Sequence, residues 1–277
     1  VVSLTEKKKT IERYDALLAS LQKQVDDAYK SGIVMKNDLL KVKLKRNKML
    51  LNKSKLENGI ALASMAFCQH IGIPYDSTLV LNDTLATGGI PESYYVDHSA
   101  ALATRAEYGL LKAMVRSEEV QTRMKIGDYL PQVGVGVSGM SMKFDDGKAR
   151  TFGMVFGTLS IPISDWWGAA HTLSERKVKE EMAENTMKDN AELLLLQMEK
   201  SRQDLSDAYK QVLLSEEAKA QAEENLKVNY DSYRNGVSSV SDLLEAQALV
   251  QQTVDHFTEA KSNYLMKKIM YLQATGR

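Results

Sequence analysis

The chain has 277 residues, with acidic and basic side chains in equal number (36 each), sixteen glycines, four prolines and one cysteine. Balanced charge leaves no global field favouring nucleic acid or membrane phosphate, a lone cysteine excludes an internal disulfide, and no run of eighteen apolar residues is present to form a transmembrane helix. Low glycine and proline, with long unbroken helical patterns, point to elongated helices rather than two compact domains.

Thr5 to Lys30 reads as a helix, with Ile11, Tyr14, Leu18, Leu21 and Val25 spaced by threes and fours. After a turn at Gly32, Asp38 to His70 reads as the return helix, through Leu40, Leu44, Leu51, Ile60, Leu62 and Met65. Nine basic residues lie between Lys30 and Lys55 against Asp38 alone. A solvated helix face is the plainer explanation, and an anionic partner is the alternative. Cys68 sits in an apolar run, where a buried thiol is common. The helix must end at residues 71–75, since Gly72 can cap and Pro74 cannot continue. Ser77 to Leu85 alternates as a strand does, Thr87 to Pro91 is loop, and helix resumes from His98 to Ile126.

Next comes the only strong β pattern. Val133, Val135 and Val137 alternate with Gly134, Gly136 and Ser138; Phe144 to Lys148 is a turn; Thr151 to Ile163 alternates again. Each strand is long enough to cross a bilayer when tilted. A soluble hairpin would need a third strand or a covering helix, and neither lies nearby in sequence. These strands are therefore expected to pair with strands of another copy or of a missing part of the chain. Pro162, Trp166, Trp167 and Gly168 mark the exit, and tryptophan there suits a membrane interface.

His171 to Asn235 reads as one helix with a narrow stripe of alanine and larger apolar residues, as in coiled-coil packing. It stops at Gly236; Val237 to Ser241 is turn material, and Ser239 or Ser241 can cap a new helix that opens with Asp242. This tip occurs twice. Tyr29 to Leu40 matches Tyr233 to Leu244 at an offset of 204 residues, which also pairs Gln69 with Gln273 and Gly72 with Gly276. Helix can be followed back from the second tip to Trp166, about seventy residues or ~105 Å at 1.5 Å per residue, whereas the first tip is preceded only by residues 1–31. With no signal peptide at Val1, the chain is expected to begin partway down a helix, as a fragment. One long strut should then lie beside two stacked shorter ones.

The run Leu159-Ser-Ile-Pro-Ile-Ser-Asp-Trp-Trp-Gly168, with Asn225 to Gly236, Asp242 to Gln247 and Tyr264 to Gly276, resembles the TolC family of outer-membrane efflux channels. Trp167 stands where that family usually has glycine. The resemblance implies a mainly α fold with a β-hairpin: long helical hairpins of an α-barrel tunnel, plus two strands of a trimeric transmembrane β-barrel. It implies a truncated first-repeat hairpin over 1–72 and an equatorial belt over 73–97. An upper periplasmic helix follows over 98–128, an outer-membrane hairpin over 129–164, and the second-repeat helices and tip over 165–277. Asp38, Tyr233, Asp242 and Glu245 become gate residues, with Tyr233 hydrogen-bonded to Asp38 and the other two acids forming inward rings. For Asp242 the plainer role is that of a helix-start residue. Gly32, Ile33, Val34, Gly236, Val237 and Ser238 become the adaptor-docking tips, and Trp166 and Trp167 the membrane interface. Ser238 departs from the family's best-known member, which has a tip-linking arginine there, so one lock is missing or differently made.

The function implied is a passive export duct of a tripartite efflux or type I secretion system. Its partners are two further copies of the chain, a periplasmic adaptor (membrane fusion) protein, an inner-membrane pump and outer-membrane lipid, with no nucleic acid. A periplasmic adaptor would need lipoyl-like β segments around a single hairpin, and a soluble coiled-coil scaffold would not need residues 129–163. An enzyme is the least supported class. His70, His98, His171 and His256 lack ligand spacing, and no nucleophile elbow or phosphate loop occurs. No catalytic residue, metal site or cofactor is expected.

Overall fold

A computed structural model of the chain describes residues 1–81, 83–86, 88–145 and 147–277. The fold is mainly α with one β-hairpin. Its elements in order are α1 (Val2–Lys30), α2 (Lys36–Ile71), α3 (His98–Thr104), α4 (Ala106–Asp128), β1 (Gln132–Lys143), β2 (Ala149–Ser160), α5 (Trp166–Arg234) and α6 (Val240–Ala274). They form two compact units, one of residues 1–96 with 198–275 and 277, the other of residues 97–197 with 276.

In the first unit α1 buries the five residues its spacing predicts, Ile11, Tyr14, Leu18, Leu21 and Val25. They meet Leu39, Val42 and Met49 of α2, Ala222 of α5, and Val240, Leu243 and Val250 of α6. α1 supplies this core about once per turn, α2 and α6 less regularly and α5 through Ala222, and each large apolar residue buried is worth roughly 1.5–3 kcal/mol. A second cluster joins Leu205, Ala208 and Val212 of α5 to Tyr264 and Tyr271 of α6.

The inward face of α2 differs from the expected one. Leu40, Leu44, Leu51, Leu62 and Met65 are exposed, Leu44 by 72% and Leu62 by 67%, while Leu39, Val42, Met49, Ser64 and Cys68 are buried. The helix carries two apolar stripes. Periodicity detects the heavier one, but the positions of α1 and α6 decide which turns inward.

Tyrosines hold the segment before α3. The Tyr264 hydroxyl donates to the Gly89 carbonyl (2.5 Å), the Gly89 N–H donates to the Tyr94 hydroxyl (2.9 Å), and the Val96 N–H donates to the Tyr271 hydroxyl (3.4 Å). The alternating stretch 77–85 forms no strand among the described residues. The Asp76 carboxylate accepts both the N–H and the hydroxyl of Thr78 at 2.8 Å, which folds the backbone into a turn. The expected loop 87–91 and turn 144–148 each include one residue, 87 and 146, outside those described.

In the second unit the helix expected from His98 to Ile126 is broken at Arg105, whose backbone is extended (φ −73°, ψ 134°). The Arg105 side chain is buried, and its guanidinium donates to both oxygens of Glu107 (2.6 and 3.1 Å) and to Gln197 (3.3 Å). Those bonds offset the lost helical turn. Arg176 of α5 meets Glu118 of α4 at 2.6 Å.

β1 and β2 pair antiparallel from Gln132↔Ser160 to Lys143↔Ala149. Val133, Val135, Val137, Val155 and Leu159 share one face, each at least 66% exposed. On the other face Phe156 lies across Gly136, where a Cβ would come within 2.4 Å of its ring. The Trp166 indole N–H donates to the Tyr129 carbonyl (2.9 Å), tying the two ends of the hairpin together, and Trp167 is 89% exposed.

Candidate functional site

The two helical tips are built alike, down to individual hydrogen bonds. α1 closes with Gly32 N–H donating to the Tyr29 carbonyl (3.0 Å) and Ile33 N–H to that of Ala28 (2.9 Å). α5 closes with Gly236 N–H to Tyr233 (3.0 Å) and Val237 N–H to Ser232 (2.9 Å), the same pairs 204 residues on. Each closure needs a left-handed residue, and both glycines have φ +74°. Ile33, Val237 and Gly236 are exposed, and Val34 and Ser238 are half-buried.

The starts of the return helices differ. α6 opens with a capping box: Ser239 accepts from the Asp242 N–H (3.2 Å), while one Asp242 oxygen, Oδ2, accepts from the Ser239 N–H (3.0 Å) and hydroxyl (2.8 Å) and from the Ser238 hydroxyl (3.2 Å). These bonds, led by the Ser239 hydroxyl, hold the Asp242 carboxyl below its ordinary pKa. The cap uses Oδ2 alone; Oδ1 has no hydrogen bond among the described residues. At the matching position of α2 stands Met35, which cannot cap.

Lys41 takes up the difference. Its ammonium donates to the Ser241 hydroxyl of α6 (2.7 Å) and lies 3.6 Å from the Asp38 carboxylate, so one cation spans both tips. Tyr233 is half-buried, and burial, then the charge of Asp38, pushes its phenol pKa up. No hydrogen bond joins Tyr233 to Asp38 among the described residues. Glu245 is exposed one helical turn beyond Asp242. Sequence reasoning missed Lys41, although the repeat held a signal: Lys41 and Glu245 occupy equivalent positions with opposite charge.

Among the described residues no group of three or more His, Cys, Asp or Glu is placed to hold a metal, and no helix is long and apolar enough to cross a membrane. Residues 99–277, from the α3 start through the hairpin and second tip, match the family model of outer membrane efflux proteins. The chain belongs to that family. Its family places it in the outer membrane.

Solved structures share the fold of this outer membrane efflux protein. The outer membrane protein VceC of Vibrio cholerae superposes with a TM-score of 0.76 at 13% identity, over 99% of this chain and 66% of its own. The CmeC outer membrane channel of Campylobacter jejuni gives 0.76 at 14%, over 99% and 60%. The MtrE outer membrane channel of Neisseria gonorrhoeae, solved in an open state, gives 0.73 at 13%, over 99% and 64%. The chain thus spans less than two thirds of the length of these channels. Comparison with curated proteins finds no match.

Proposed function

We propose that the chain forms part of a channel-tunnel of a tripartite efflux or type I secretion system: a passive, homotrimeric export duct gated at its periplasmic tips. A periplasmic adaptor docks on the tips and an inner-membrane pump supplies the cargo. The observation that carries this reading is the β-hairpin. Both faces are exposed along twelve-residue strands, and an aliphatic face left open in this way calls for lipid, while its free edges call for further strands. Residues 129–164 are accordingly the outer-membrane segment, with Trp166 and Trp167 at its interface. Residues 1–72 and 165–277 are the two tip hairpins, 73–97 the belt and 98–128 the upper periplasmic helix.

At the tips, Gly32, Ile33, Val34, Gly236, Val237 and Ser238 form the adaptor-docking surface. Asp38, Tyr233, Asp242 and Glu245 form the gate. Asp242 combines both roles weighed for it, capping α6 through one oxygen and presenting the other to the aperture with Glu245. Lys41, clasped between Asp38 and Ser241, does the work that an arginine at position 238 would do. Rings of carboxylates between low-dielectric walls make the mouth cation-selective.

Single-channel recording in asymmetric salt tests this, on the protein extracted from its outer membrane. The double variant Asp242→Asn, Glu245→Gln should lose cation selectivity, and Lys41→Ala, which unclasps the tips and uncovers the Asp38 charge, should raise conductance while the mouth stays cation-selective. An unchanged reversal potential in the double variant would remove the acids from the pore, and a protein that forms no pore would sink the duct itself.

A further inference from the structure

Away from the tips, a cavity of about 550 Å³ lies where α1, α5 and α6 meet the segment 84–86. Its walls carry four basic side chains, Lys9, Arg13, Lys219 and Lys261, against two acids, Glu6 and Glu223. The imbalance is local, because the whole chain has zero net charge. Glu6 neutralises Lys9 (2.7 Å), and Glu223 lies 3.8 Å from Lys219. Arg13 and Lys261 make no hydrogen bond or ion pair among the described residues. Two positive charges are thus left over.

The lysines converge. The Lys219 and Lys261 ammoniums stand 5.4 and 4.5 Å from the centre of one ring, Phe257, and so lie within about 10 Å of each other. Both side chains are half-buried, where repulsion is screened less than in open water. Tyr14, next to Arg13, adds a neutral group. It lines the cavity and is 8% exposed, and its hydroxyl makes no hydrogen bond among the described residues. A buried hydroxyl ordinarily has a partner. Burial, then the charge of Glu223, pushes the Tyr14 pKa up, so this hydroxyl keeps its proton and can donate it in a hydrogen bond. A merely solvated basic face would need neither the cavity nor a buried phenol without a partner.

We infer that this cavity binds a small organic dianion of the dicarboxylate or phosphate-monoester type. Two surplus cations call for two negative charges; a monoanion would leave one cation unanswered, and a metal cation would meet net repulsion. Arg13 offers a planar fork that matches an oxyanion in bidentate fashion. Lys261, with Lys219 beside it, answers the second charge, and Tyr14 donates to an oxygen. Phe257 and Leu85 give the carbon skeleton an apolar wall. The volume is that of a pocket for an organic ligand and exceeds what a bare ion needs. Such a ligand would cancel the repulsion among Arg13, Lys219 and Lys261 and so fasten α1, α5 and α6 together. The site lies outside the tips and the hairpin, and it does not depend on the export duct.

Isothermal titration of the protein extracted from its outer membrane, at low salt, provides the test, with succinate and inorganic phosphate as probes. At least one should bind, the tighter of the two naming the headgroup, and acetate should bind about tenfold more weakly or less. Arg13→Gln and Lys261→Gln should each weaken binding about tenfold, the loss of one charge-assisted contact. Tyr14→Phe keeps every charge and the packed ring, and it should still weaken binding several-fold. Lys227→Gln, which removes an exposed charge outside the cavity, should change nothing. The site would be overturned if neither probe bound, if acetate bound as tightly as succinate, or if Arg13→Gln and Lys261→Gln bound like the wild type. An equal loss in Lys227→Gln would also overturn it, by reducing the effect to the charge of the whole surface.

Discussion

Gly236 offers the sharpest test of how the tips are held. Its φ is +74°, and a Cβ built on it meets nothing within 4 Å. Any cost of substitution is thus local backbone strain, with no clash to confuse it. An L-residue in the left-handed region costs roughly 1–2 kcal/mol, with alanine near the lower bound and a β-branched residue at or above the upper. Asparagine, which tolerates that region, should fall closest to glycine. The predicted order of damage is Asn, Ala, Val. Hydrogen exchange reads it directly, because the amides of residues 236 and 237 close the tip at 3.0 and 2.9 Å. A loss of 1–2 kcal/mol should speed their exchange by about 5- to 30-fold. Gly32, with the same φ and equally open surroundings, should return the same series and serves as an internal control. Gly236→Val should also abolish export while the protein persists in the membrane. Valine exchanging no faster than asparagine would refute the strain account, and normal export with a loosened tip would separate the closure from docking.

Two further outcomes are expected. Tyr264→Phe removes the hydroxyl on Gly89, a bond worth about 0.5–1.5 kcal/mol, so amides 88–96 should exchange about 2- to 12-fold faster while the ring still packs on Tyr209 (centroids 5.5 Å apart); unchanged exchange would mean that the segment is held elsewhere. The hydroxyl–carbonyl bond lies in a buried setting, and burial first, then neighbouring groups, pushes the Tyr264 pKa up to about 12. Arg105 holds the Glu107 carboxyl down to about 2 from its ordinary 4.5. A depressed folded-state pKa stabilises fully above the unfolded value and is lost as pH falls through the folded one. The start of α4 should therefore loosen between about pH 4.5 and 2, and Glu107→Gln should flatten that pH dependence in an exchange titration; an identical profile in the variant would exclude the pair as its source.

The sequence by itself determined the helices, the two tips and the strand pair. These depend on interactions within a few residues: glycine at a left-handed closure, alternation in a strand, and three-four spacing on α1, whose predicted inward residues are all buried. Duplication sharpened the tips further, because Gly32 and Gly236 mark the same closure and Ser239 with Asp242 announces a cap. Tertiary structure decided what local pattern leaves degenerate. α2 has two apolar stripes, and only its packing on α1 and α6 chose Leu39, Val42 and Met49 over the heavier stripe of Leu40, Leu44 and Leu51. The break at Arg105 follows from partners at Glu107 and Gln197, the second of them far off in sequence. Lys41 became visible as a clasp only when folding brought Ser241 within 2.7 Å. In each case the deciding energy comes from a contact between residues distant along the chain, and periodicity carries no information about which distant residue will be there.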